Sequence, residues 1–123
     1  MPWTLDARIP LVILADAAAL PALLTAGGPA AVLAEAPAPA RPDGAVAAEA
    51  FAPAMAAHPA ACNCCAGRSP AAAALDRLFQ ARVRGSVPWF ERVVALAGTE
   101  AGQQEIAAAL SGDAVTAARF RAG

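Results

Sequence analysis

The chain has 123 residues, nine basic against ten acidic, a formal net charge of −1 and 59% hydrophobic residues. That length suits one domain over residues 1–123 with one modest core. The near-neutral charge excludes an electrostatic footprint for nucleic acid or an anionic membrane. About a third of the residues are alanine, every basic residue is Arg, and Lys and Tyr are absent. Alanine buries little area, so a core built from it is thin at about 25 cal/mol per Å².

Leu11-Val12-Ile13-Leu14 reads as a buried strand of a parallel sheet. Asp16 is placed to cap a following helix with Leu20, Leu23 and Leu24 on one face. Pro21 fits only in its first turn, and Gly27-Gly28-Pro29 ends it. Ala30–Ala34 reads as a second strand with Glu35 at its carboxyl end. Residues 36–61 read as a Pro/Ala-rich loop, with an Ala-rich helix over 45–57 broken at Pro53.

Ser69-Pro70 starts a helix, with Ser as N-cap and Pro in its first turn. Leu75, Leu78, Phe79 and Val83 form its apolar stripe, Arg77, Arg82 and Arg84 its wet face, and Gly85 its stop. Trp89 and Phe90 pack at the entrance of a third buried strand, 92–97. Thr99 or Glu100 opens a helix with Ile106 and Leu110 inward, and Asp113 caps a last helix through Phe120. The rhythm predicts a small three-layer α/β domain with about three parallel strands flanked by helices. The bare edges of such a sheet predict a homodimer or pairing with a related chain.

Three cysteines, Cys62, Cys64 and Cys65, fall within four positions, with His58 four residues before them. Clustered thiols of odd number fit a reducing, cytoplasmic setting better than a disulfide framework. The apolar block Ile9–Leu14 is six residues long, short of the 7–15 of a secretory leader, and Asp16, Pro21 and Gly27 interrupt any membrane span over 9–34. With His58, the thiolates supply a Cys3His set for tetrahedral zinc; without it, they suit zinc with an exchangeable ligand, or Cu(I). A Cys62–Cys64 disulfide with redox activity, or simple burial as small hydrophobes, are the competing readings. Helix dipole and Arg68 would both favour thiolates ahead of the Ser69-Pro70 start. Glu35, at a strand end where α/β sheets place ligands, is a further candidate near the thiols or a solvated loop carboxylate.

Several stretches resemble the CobW-like proteins, relatives of HypB and UreG among P-loop GTPases linked to metal trafficking. Arg8-Ile9-Pro10-Leu11-Val12-Ile13-Leu14 is similar to the family's opening strand, Cys62-Asn63-Cys64-Cys65 to its C-x-C-C motif, and Phe90-Glu91-Arg92-Val93-Val94 to its F-D-R-V-V segment. Glu35 matches the glutamate of its N-E-F-G motif, and Leu110-Ser111-Gly112-Asp113 is similar to a later stretch. The resemblance implies a role in metal handling. Departures remove the catalytic part. Where a Walker A loop needs glycines, Lys and Ser/Thr, this chain has Ala15-Asp16-Ala17-Ala18-Ala19-Leu20-Pro21-Ala22. The family's acid after the Val-Val pair falls at about Leu96, and the guanine-selecting region has no counterpart in these residues. The expectation is a non-catalytic zinc-binding protein that binds no nucleotide, with a pseudo-GTPase interaction module or a thiol redox protein as alternatives.

Overall fold

The computed structural model describes residues 6–38, 41–53 and 68–123. β1 (Ile9–Leu14) leads into a 3-10 turn (Ala17–Ala19) and then α1 (Leu20–Thr25). The Asp16 carboxylate caps the turn, accepting the Ala18 N–H at 2.9 Å. Pro21 lies at the start of α1, where no intrahelical donor is lost. Gly27, at φ +89°, turns the chain out of the helix. The Arg92 guanidinium then donates to the carbonyls of Ala26 and Gly28 at 2.7 and 2.9 Å, holding the helix end on the sheet.

β2 (Ala30–Glu35) is buried along its first five residues, as a strand with neighbours on both edges must be. The expected helix over 45–57 is replaced by β3 (Ala45–Phe51), paired in parallel with β2 from Ala30↔Ala45 to Glu35↔Phe51. Alanine favours helix in isolation, but β2 presents a full open edge, and that ladder outweighs local propensity. Residues 54–57 of the expected helix lie outside the described residues.

α2 (Pro70–Arg84) starts and stops as the sequence indicates. Ser69 Oγ accepts the Ala72 N–H at 3.2 Å, and Gly85 closes the helix at φ +73°. Its buried face is Ala71, Ala72, Ala74, Leu75 and Leu78, while Val83 is 52% exposed. Position 83 lies about 80° round the helix from Leu75, on the side away from Ala74 and Leu78. Arg82 is not on a wet face. Its guanidinium stacks 3.5 Å from the centroid of the exposed Trp89 ring and its Nε donates to the Phe90 carbonyl at 2.8 Å. Phe90 itself is fully buried just before β4 (Arg92–Leu96).

Thr99 caps α3 (Glu100–Gly112), and Asp113 caps α4 (Ala114–Arg119) through the Thr116 N–H. The tail, expected to stay helical through Phe120, instead adds β5 (Phe120–Ala122). It pairs with Ile9–Leu11 of β1. Among the described residues five parallel strands therefore stand where about three were expected, in the order β3-β2-β4-β1-β5.

Alternation along the strands builds two cores. Leu11, Leu33, Val93 and Ala95 face α2 and α3, meeting Leu75, Leu78 and Ile106. Val32, Ala34 and Val94 face α1, meeting Leu20 and Leu24. α1, on the way toward the β3 edge, lies on one face, and α2 and α3, on the way back toward β5, lie on the other. A single crossover hand requires that division.

Candidate functional site

The chain paths diverge at the carboxyl ends of β2 and β4. β2 leads outward to β3, whereas β4 leads the other way to β5. Open α/β sheets form their ligand crevice at such a point. Here it is a hollow of about 250 Å³ lined by Ala15, Ala17, Glu35, Leu96, Gly98 and Thr99, among others.

Two carboxylates fill the positions where an anion would bind. Asp16 accepts the Ala18 N–H beside β1. Glu35 reaches from the end of β2 to the start of α3. There its Oε1 accepts the Thr99 N–H at 3.0 Å and its Oε2 accepts the Thr99 hydroxyl proton. The Thr99 hydroxyl in turn accepts the Gly102 N–H at 3.0 Å. Helix starts attract negative charge because their N–H groups lack partners, and here the chain supplies that charge itself. Glu35, partly buried, thus ties β2 to α3, while the thiols it was expected to approach lie outside the described residues.

Sequence reasoning missed Thr99 and Gly102 as its partners. The available signal was a glycine in the first turn of a helix, a position that costs about 1 kcal/mol relative to alanine. The cause is contact. A Cβ at Gly102 would lie 2.6 Å from Glu35 Oε1.

His58, Cys62, Cys64 and Cys65 lie outside the described residues. The chain before them leaves β3 at Phe51, level in register with Glu35, and the chain after them is described again from Arg68. The expected help for thiolates from Arg68 and the α2 start is directed elsewhere. Arg68 donates to Asp113 Oδ2 at 3.0 Å, and Ala71 N–H goes to Glu105 Oε2 at 2.9 Å. Asp113 is held down to about 2 by the Thr116 hydroxyl above all, and also by Arg68. Among the described residues, no three His, Cys, Asp or Glu side chains converge as a metal site. Among the described residues, no helix is long and apolar enough to cross a membrane.

Comparison with protein-family models, with curated proteins and with solved structures returned no match for the chain.

Proposed function

We propose that this chain is a non-catalytic metal-binding protein, with zinc held by the thiolates of Cys62, Cys64 and Cys65, acting in cytoplasmic metal handling. The observation that carries the reading is the sequence itself: three cysteines in four positions, with His58 at a spacing that allows a fourth ligand. The resemblance to CobW-like proteins supports the same role. Loss of GTP hydrolysis is supported by the turn after β1. A phosphate loop offers free N–H groups, a Lys and a Ser/Thr hydroxyl; this turn offers alanines, and Asp16 already occupies the Ala18 N–H.

Zinc titration against a competing chelator tests the proposal. Wild type binds one zinc, and the Cys62→Ser, Cys64→Ser, Cys65→Ser variant does not. Equal affinity in that variant overturns the reading. His58→Ala separates a four-ligand set, where affinity falls at least tenfold, from three thiolates with an exchangeable position, where it does not change. Native mass spectrometry distinguishes the redox alternative, which predicts a protein two hydrogen atoms lighter and free of metal.

The β3 edge supports pairing with a second copy. It is seven residues long and carries one charged side chain, Glu49, already paired with Arg77 at 2.6 Å. Native proteins usually blunt such edges with charge, proline or shortness. Light scattering that finds a strict monomer at high concentration would overturn the pairing.

A further inference from the structure

The sheet face that carries α1 holds a second, larger cavity of about 390 Å³. Its floor is Val32 and Ala34 of β2, Ala48 of β3 and Leu96 of β4. Leu20 of α1 forms one wall, and Ala38, Arg41 and Pro42 of the β2–β3 connection form the other. Its origin is physical. A parallel sheet needs cover on both faces, but among the described residues this face is covered by the 3-10 turn, the six-residue α1 and a connection with no described helix. Alanine at 34 and 48 then leaves space that larger side chains would fill. The volume lies within the roughly 300–1,000 Å³ of small-molecule sites.

The polar groups in the lining define the ligand. Glu49 is present but its carboxylate is bound to Arg77 on α2. Arg41 is the cation of the lining. It makes one long bond to the Val46 carbonyl at 3.4 Å and pairs with no carboxylate among the described residues. An apolar chamber with a single unneutralised guanidinium at its wall matches a molecule with an aliphatic body and one anionic head. A guanidinium takes a carboxylate in paired, charge-assisted hydrogen bonds.

We infer that this cavity binds a medium-chain aliphatic monocarboxylate, its tail on the Val32–Ala34–Ala48–Leu96 floor and its head on Arg41. No cysteine is among the described lining residues, and the Cys62→Ser, Cys64→Ser, Cys65→Ser variant is expected to retain the site.

Calorimetric titration of the full chain with butanoate, hexanoate and octanoate is the test. Octanoate binds saturably at one site, and each added methylene tightens binding about threefold to fourfold. Octanol binds at least tenfold more weakly than octanoate. Arg41→Ala, at an exposed position, lowers octanoate to the level of octanol and leaves octanol unchanged. Ala48→Leu fills the cavity and abolishes both, with the circular dichroism spectrum retained. Absence of saturable octanoate binding overturns the inference. So does equal binding of octanol, or octanoate affinity unaffected by Arg41→Ala. Should Ala48→Leu fail to fold, the Arg41→Ala comparison still decides.

Discussion

Glu35 and Thr99 are 64 residues apart in sequence, and the carboxylate of the first takes both the N–H and the hydroxyl of the second. One side chain thereby joins the end of β2 to the start of α3 across the crevice.

That contact sets the identity of residue 102. Gly102→Ala in an ordinary helix would gain about 1 kcal/mol. Here the new Cβ displaces the Glu35 carboxylate, the end of a flexible side chain, from its two bonds to Thr99, so the substitution is destabilising through their loss. Glu35→Ala by itself costs about 1–3 kcal/mol, the usual loss for hydrogen bonds to a charged group. With Glu35→Ala already in place, Gly102→Ala changes sign and stabilises by up to about 1 kcal/mol. Urea denaturation of the four proteins in this cycle checks the reversal. Additive effects of the two substitutions would show that the close approach is not what keeps the glycine. Zinc affinity should be the same in Glu35→Gln as in wild type, because both carboxylate oxygens already have partners.

Asp113 gives the fold a defined acid response. Its carboxyl sits at about 2 in the folded protein, because it accepts from the Thr116 hydroxyl and from Arg68. The unfolded chain returns it to about 3.9. Between those values the unfolded state binds more protons, so stability rises with pH there. The Asp113 contribution is complete above about pH 4 and is lost as pH falls toward 2. Asp113→Asn should flatten that part of the stability curve while the Asp6 contribution, held down by Arg8, persists. Thr116→Val should move the Asp113 carboxyl back up, read by carbon NMR titration. A carboxyl that still titrates near 2 in that variant would remove the hydroxyl as the main cause.

Several elements were legible because their chemistry is local. Ser69, Thr99 and Asp113 each cap the helix that follows them, and Gly85 closes α2 in the left-handed region. β1, β2 and β4 announce themselves as apolar runs. β3 does not, since Ala-Val-Ala-Ala-Glu-Ala-Phe carries little β-branching and its strand character comes from β2 beside it. β5 is three residues long, too short for any period, and is fixed by Ile9–Leu11. The site divides in the same way. Asp16 and Glu35 could be picked out as acids at strand ends, but their partners lie in the tertiary fold. The 390 Å³ cavity has no local signature, because it arises where alanines of β2 and β3 meet Ala17 of the 3-10 turn and Ala38 of the β2–β3 connection.

Arg82 shows how a residue on an apparently wet helix face can act in packing. Its guanidinium lies over Trp89 and its Nε holds the Phe90 carbonyl. Burial lowers its pKa from the usual value. Arg82→Ala should destabilise by about 1–2 kcal/mol, combining a cation–π contact with a hydrogen bond. Trp89→Ala, which keeps the bond to Phe90, should cost about 0.5–1 kcal/mol. In a Trp3→Phe background, the fluorescence of Trp89 should also shift when Arg82 is removed. Equal stability of wild type and Arg82→Ala would reduce the stack to a surface contact.

Metal removal should leave the fold standing. Among the described residues both core clusters are built without a cysteine, unlike small zinc domains that are unfolded without metal. A ligand bound only by the folded state, at a hundred times its Kd, would add about 2.7 kcal/mol. Three thiols within four residues remain neighbours in the unfolded chain as well, so the unfolded state also binds zinc and the gain shrinks. Chelation should therefore change the melting temperature by less than the 4–8 °C that about 1 kcal/mol produces in a domain of 60–100 residues. Far-ultraviolet circular dichroism with and without chelator, followed through thermal melting, reads this directly. Loss of helical signal on chelation would make the metal structural and would refute a site poised for exchange.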